Sequence, residues 1–173
     1  MSSIKAPLEE IKQRLRDSVD GLHVVTYNNQ FEYMEQGAEQ AYPLPAVFVE
    51  IVAPQERMQI GNGLIEGEVV FRAHVAHVEY DAQDGTMNEN KAVYDLKDSV
   101  VKALHLYKPV ACSNLFLVAE SQDYEHTNLY HYILDFKCSF IDDTGDVRKD
   151  LIEKPGDTTT LNVTVVSVNV LTQ

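Results

Sequence analysis

Two segments with helical periodicity, set among segments with strand periodicity, constrain the fold more than any other feature of this sequence. Apolar residues recur every three or four positions from Ile4 to Val19, and again from Val93 to Leu104. This spacing places them along one side of an α-helix. Elsewhere apolar and polar residues alternate, as they do on strands with one covered face. The pattern therefore predicts an α+β fold, with a predominantly antiparallel sheet and both helices packed on one face.

The boundaries of the elements follow from the same periodicities and from the glycines and prolines between them. The first helix is expected over about Ala6–Val19 and the second over Asn90–Leu106. Two polar stretches that contain Gly and Pro, Asn28–Pro45 and Ala53–Gly63, are predicted to be connections. The predicted strands are Leu22–Tyr27, Ala46–Val52, Leu64–Tyr80, Leu115–Ser121 and Leu129–Ile141.

The chain is predicted to divide into a compact domain, residues 1–146, and an extension, residues 147–173. The extension begins with a charged linker that contains Pro155-Gly156, and it continues as a strand over Thr158–Leu171. Both faces of this strand are partly apolar, so it cannot stay unpaired in water. It must pair with an edge of its own sheet or with an edge of a neighbour's sheet, and the sequence leaves both possibilities open.

The charge of the chain limits its partners. The net charge is -13, from 27 acidic and 14 basic residues, and such a surface repels the phosphates of nucleic acids. It suits a wall past which DNA slides without binding, a basic partner, or solubility alone. No apolar stretch approaches the roughly 20 residues of a membrane span, and the N-terminus does not look like a signal peptide. With only two cysteines, a reduced cytosolic protein without a disulfide scaffold is expected.

The sequence contains no motif that carries chemistry. His74 and His77 lie three residues apart on a predicted strand, so they point to opposite faces and cannot readily share a metal. His126 and His131 have no cysteine nearby, and Asp81–Gly85 lacks the ligand spacing of a calcium loop. No nucleotide-binding glycine pattern or nucleophile elbow occurs. We therefore expect no catalysis, no metal and no cofactor; an enzyme would need a site assembled only in space.

The order of the elements resembles that of the tail terminator, or tail completion, proteins of long-tailed bacteriophages. The resemblance covers roughly residues 4–145. It includes both helices, the strand that begins Leu44-Pro45-Ala46-Val47-Phe48-Val49, and the strands through Val69–Val78 and Leu129–Asp142. The chain departs from the pattern in its long Asn28–Pro45 connection and in its C-terminal strand.

The resemblance implies a structural protein. Members of that family are small α+β subunits of a ring, typically a hexamer, between the tail tube and the head connector. It implies a homo-oligomer in a virion tail or neck, assembled in the bacterial cytoplasm. Its partners would be tube and connector proteins, and DNA would pass through without specific binding. Another connector or neck ring subunit is a closely related possibility.

A ring subunit needs edge strands and loops that contact its neighbours. The interface candidates come from the connection after the Ala46–Val52 strand and from the C-terminal strand: Pro54, Glu56, Arg57, Met58, Ile60, Val163, Val165, Val168 and Val170. Two alternatives remain. A small-ligand-binding or enzymatic α+β domain would show a deep pocket with convergent polar groups. A secretion-system ring subunit or adaptor would share the fold but not the viral role.

Overall fold

The computed structural model describes residues 4–31, 42–52, 56–61, 63–78, 91–125 and 129–146. The predicted strand over Thr158–Leu171 and its linker lie outside these ranges, so the proposed division of the chain at residue 146 stays a prediction. The elements, in chain order, are α1 (Lys5–Ser18), β1 (His23–Thr26), β2 (Ala46–Val52), β3 (Arg57–Gly61), β4 (Leu64–Val78), α2 (Lys91–Leu104), β5 (Phe116–Asp123) and β6 (Leu129–Asp142).

The strands form one sheet in the order β1-β2-β4-β6-β5, and β3 pairs with β4 outside this path. Among the strands that the structure describes, only the pair of β1 and β2 is parallel, and every other pair is antiparallel. β4 is the central strand. One of its edges pairs with β6 from Ile65 to Val78, while β2 and β3 share the other edge. The predicted predominantly antiparallel sheet is confirmed.

Both helices pack on one face of this sheet, as the periodicity predicts. α1 buries Leu8, Ile11 and Leu15, and α2 buries Val93, Leu96, Val100 and Leu104, against Val69, Phe71, Val75, Leu134 and Phe136 of β4 and β6. Fully burying one such side chain contributes about 1.5–3 kcal/mol. Arg14 also joins the helices, because its Nε donates a 3.3 Å hydrogen bond to the carbonyl of Ala103. Cys112 and Cys138 are free thiols in the same core.

Within the described residues, the opposite face of the sheet is covered at one end only. There Phe31 packs against Phe48, Ala46 and Ala76, and the partly buried Tyr42 joins them. The alternation along β4 indicated a single covered face, and at this end that interpretation is wrong. The flanks of the predicted Asn28–Pro45 connection fold over the sheet, because they carry large aromatic side chains that gain free energy by burial.

β3 is the second departure from the sequence-based expectation. Ala53–Gly63 was predicted to be a connection, but Arg57–Gly61 pairs with β4, with an irregularity in register between Gln59 and Gly61. All the residues of β3 are exposed, and polar and apolar residues alternate only over the four positions from Arg57 to Ile60, between turn-forming residues that include Pro54 and Gly63. We call the three-stranded extension formed by β3, Leu64–Gly67 of β4 and Phe140–Asp142 of β6 the β3 arm.

Candidate interaction surfaces

The structure places four of the predicted interface residues on the β3 arm or directly before it. Glu56 precedes β3, and Arg57, Met58 and Ile60 lie on it, all exposed to solvent. The exposed fraction reaches 64% for Met58 and 44% for Ile60, which is high for apolar side chains. The remaining candidates, Pro54, Val163, Val165, Val168 and Val170, lie outside the described residues.

The strand register of the β3 arm places two apolar side chains and one acidic side chain in a row across the strands. Met58 lies opposite Glu66 on β4, and Glu66 lies opposite Ile141 on β6. Val69 of β4 points to the helices, and because strand side chains alternate, Glu66 points to the other face. Ile141 is 42% exposed. The three side chains therefore form one row on the face away from the helices, in which Met58 and Ile141 are exposed and Glu66 is half-buried.

Two shallow depressions border this row. One, of about 320 Å³, is lined by Glu56, Met58, Glu66 and Glu68. The other, of about 300 Å³, runs from Glu68 to Phe116 and Val118 on β5. Both are broad and open on the surface, unlike the enclosed clefts that bind small ligands. In the described part of the chain, their shape favours contact with another macromolecule over an enzyme's substrate pocket.

Side chains block the outer edge of β1. The backbone amides of His23 and Tyr27 donate hydrogen bonds on the β2 side of the strand. The backbone amides and carbonyls of Val24 and Thr26 therefore point to the outer edge. The Val24 carbonyl accepts a 2.7 Å hydrogen bond from Arg16, and the Thr26 carbonyl accepts a 2.8 Å hydrogen bond from Gln30. A strand added here would have to displace both side chains, so this edge is a poor site for strand pairing.

The other edges of the sheet are more open. At the start of β5, Leu115 exchanges 2.8 Å backbone hydrogen bonds with Leu106 and Tyr107. From Val118 to Ser121 the strand is exposed. Within the described residues, the backbone of β3 pairs with β4 alone. The β3 edge and the later part of β5 therefore remain as places where a further strand or a neighbouring chain could pair.

A second exposed apolar surface follows α2, and nothing in the sequence patterns pointed to it. Leu106 is 55% exposed and Val110 is 43% exposed, and the nearby Lys102 and Lys108 are exposed as well. We call Lys102, Leu106, Lys108 and Val110 the α2-turn patch. Its backbone is anchored to α1, because the Val110 amide donates a 2.8 Å hydrogen bond to Glu10.

The structure also brings together two histidines whose contact no sequence pattern indicates. His74 of β4 and His131 of β6 are buried, and Nδ1 of His74 lies 2.8 Å from Nε2 of His131. Nδ1 of His131 lies 3.1 Å from Asp123 Oδ2. The Tyr27 ring stacks on the His74 ring with 4.1 Å between their centroids, and the centroids of the Phe31 and His131 rings are 4.2 Å apart. His77 points to the other face of β4, as expected.

The surroundings of His74 favour its neutral form. Burial lowers the pKa of His74 to about 4, and the nearby Arg72 guanidinium acts in the same direction. Neutral His74 can donate from Nδ1 to His131, which can donate in turn to Asp123. Nε2 of His74 lies 3.3 Å from Glu50 Oε1, yet within the described residues it has no hydrogen-bond partner.

Arg72 holds the carboxylates beside this pair. It donates to both oxygens of Asp135 at 2.7 and 3.0 Å, and it lies 3.5 Å from Glu50. In the described part of the chain, no three His, Cys, Asp or Glu side chains are arranged to hold a metal ion. The expectation that the whole chain binds no metal and performs no catalysis stays a prediction. We interpret the histidine pair as part of the buried packing between β4, β6 and the Tyr27–Phe31 segment.

Neither α1 nor α2, the helices of the described residues, has the length and apolar character that crossing a bilayer demands. No family model matches the sequence, and no curated protein matches it. Among solved structures, the fold is similar to a chain from a "Virion of native gene transfer agent (GTA) particle". The TM-score is 0.55 at 13% sequence identity, over 82% of this chain and 100% of the other. At this identity the likeness shows the fold alone, and the fold is one that a virion chain also adopts.

Proposed function

We propose that this chain is a structural subunit of a phage-like virion. In this proposal it forms a tail-terminator or other neck ring that caps the tail tube and joins it to the head connector. The main support is the fold, which extends over 82% of this chain and the full length of a chain from a virion. The order of elements, which resembles that of tail terminators, supports the same role.

The surfaces of the chain suit such a role. Exposed apolar side chains gather on the β3 arm and on the α2-turn patch, and such patches mark contacts between proteins. The two depressions beside the β3 arm are shallow and open, so the ligand-binding alternative gains no support from them. A net charge of -13 would let DNA pass without being held. Assembly in the bacterial cytoplasm and location in the tail or neck belong to the same proposal.

Two measurements test the proposal. Native mass spectrometry of the full chain should give a closed multiple of the 19.5 kDa subunit, six copies if the resemblance holds, and electron microscopy should show rings. The ring should bind the end of a tail tube assembled from the virion's own tube protein, and it should not bind duplex DNA at physiological salt. A chain that stays monomeric at high concentration and ignores the tubes would contradict the proposal.

A further inference from the structure

We infer that copies of this chain contact one another head to tail, with the β3 arm of one copy docked on the α2-turn patch of the next. This inference rests on the proposed ring, since it assumes that the chain assembles with itself. It goes further by assigning the two surfaces that meet and the chemistry that joins them.

The β3 arm, with Glu56 directly before it, combines exposed apolar side chains with carboxylates; its one cation, Arg57, lies 4.0 Å from Asp142. Met58, Ile60 and Ile141 are 64%, 44% and 42% exposed. Glu68 is paired with Lys137 at 2.7 Å, but neither Glu56 nor Glu66 has an ion-pair partner within the described ranges. A surface of this kind is complementary to one that is apolar and basic.

The α2-turn patch has that complementary character. Leu106 and Val110 are 55% and 43% exposed. Lys102 and Lys108, on either side of Leu106, have no ion-pair partner among the residues that the structure describes. Two charged side chains of α1 adjoin this segment: Glu10 accepts the hydrogen bond from the Val110 amide, and the Arg14 guanidinium lies 5.4 Å from the centre of the Tyr107 ring.

The two surfaces lie on opposite sides of the same stretch of sheet. On one side of β6, the end of the strand pairs with β4, which pairs with β3. On the other side, the Ile141 amide donates a 3.0 Å hydrogen bond to Ala111, and Cys112 bridges to Phe140. Val110, directly before this segment, therefore lies across β6 from the β3 edge.

Unlike surfaces on the two sides of β6 favour a repeating contact. Each copy offers an acidic surface to one neighbour and a basic surface to the other, so the contact repeats and closes into a ring when the rotation divides a full turn. A twofold dimer through either surface alone would bring like charges together, which disfavours association.

Charge reversal provides the test. One variant carries Glu56→Lys with Glu66→Lys, and the other carries Lys102→Glu with Lys108→Glu. Each variant alone should fail to assemble, with at least a tenfold rise in the concentration needed for half-assembly. An equimolar mixture should recover rings, because the basic arm of one variant then meets the acidic patch of the other. Native mass spectrometry would show equal numbers of the two variants in each ring.

The control is Asp20→Lys with Glu125→Lys, an equal change of charge at exposed positions outside both surfaces; it should assemble like the wild type. Circular dichroism would check folding, and Met58→Ser and Leu106→Ser would test the same contact without a change of charge. Variants that each assemble normally, or a mixture that never recovers rings, would overturn this contact. Neither result would contradict the proposal that the wild-type chain forms a ring. A monomeric wild-type chain would instead overturn the proposed function.

Discussion

Burial of the His74 side chain disfavours its positively charged form. The pKa of a histidine, ordinarily 6.5, falls to about 4 for His74 in the folded chain. Between these two values the unfolded chain binds more protons than the folded chain. The free energy of unfolding therefore decreases as pH falls from about 6.5 towards 4, and this contribution is fully present above pH 6.5.

Replacing His74 should reduce this pH dependence. We expect urea unfolding of the wild type to show a loss of up to about 3 kcal/mol from this group between pH 7 and pH 4, and His74→Gln to lose much of that slope. The slope is the test, since the substitution also changes stability at pH 7 by disturbing the bond to His131. His77→Gln, on the opposite face of the same strand, controls for the loss of a histidine. Equal slopes in the wild type and His74→Gln would contradict the assignment.

Sequence spacing predicts that His74 and His77 lie on opposite faces of their strand, but it cannot predict that His74 contacts His131. Spacing along one strand determines which face each side chain occupies. Contact between β4 and β6 depends on their register, which the whole sheet sets. The exposure of Leu106 could not be predicted either, because it depends on the conformation of the turn after α2, where Leu106 adopts a positive φ of 64°.

At the scale of elements, the β3 arm depends on a close approach of two glycines. Gly63, in the turn between β3 and β4, has a φ of +89°, and a Cβ there would lie 1.9 Å from the Gly145 carbonyl oxygen. Gly61 has a φ of +135°, but a Cβ there would have no heavy atom within 4 Å. Both positions need the positive φ that favours glycine, but only a Cβ at Gly63 would collide with another atom.

Gly63→Ala should therefore destabilise the chain more than Gly61→Ala. Backbone strain alone costs about 1–3 kcal/mol, which is the loss we expect for Gly61→Ala. Gly63→Ala adds a collision that only movement of the β6 end can relieve, so its loss should exceed that range. Thermal unfolding of the two variants measures the difference, and equal melting temperatures would show that the approach to Gly145 is not needed.

The helical stripe makes a second prediction at this scale. Leu104 is 1% exposed, so Leu104→Ala should lower the free energy of unfolding by about 2–5 kcal/mol, through lost burial and the cavity left behind. Asp95→Ala, at an exposed position of the same helix, should change it by no more than about 0.5 kcal/mol. Urea denaturation compares them, and a small loss for Leu104→Ala would mean that this face of α2 is not in the core.

The helices could be predicted because both carry a long apolar stripe, and the predicted α1 differs from the observed one by a single residue at each end. β3 did not stand out as a strand, because its alternation of polar and apolar residues lasts only from Arg57 to Ile60, among turn-forming residues, and none of its residues is buried. The sequence nevertheless predicts that this connection belongs to an interface; Glu56, Arg57, Met58 and Ile60 are exposed, and their role in an interface stays a prediction.

At the scale of the whole molecule, the C-terminal strand predicted over Thr158–Leu171 still needs a partner edge. The outer edge of β1 is occupied by Arg16 and Gln30, so β3 and the later part of β5 are the better acceptors among the described strands. Pairing with these edges could occur within one chain or between chains.

Truncation after Gly156 distinguishes the two arrangements. If the strand crosses to a neighbour, the shortened chain should keep its melting temperature and lose assembly. If the strand belongs to its own sheet, the melting temperature should fall sharply. Calorimetry and native mass spectrometry on the same preparation give both readouts, and an unchanged ring of unchanged stability would defeat both arrangements.

The length of the β4–β6 pair has a mechanical consequence. β4 has 15 residues, about 50 Å of extended chain, and it runs from the β3 arm to the aromatic cover over His74 and His131. A force applied to the arm along the strands would load many ladder hydrogen bonds at once, in shear, instead of opening them one after another. In the ring inferred above the pull would instead run across the strands, because the α2-turn patch lies on the other side of β6 from the arm, and it would load the β4–β6 ladder from its arm end.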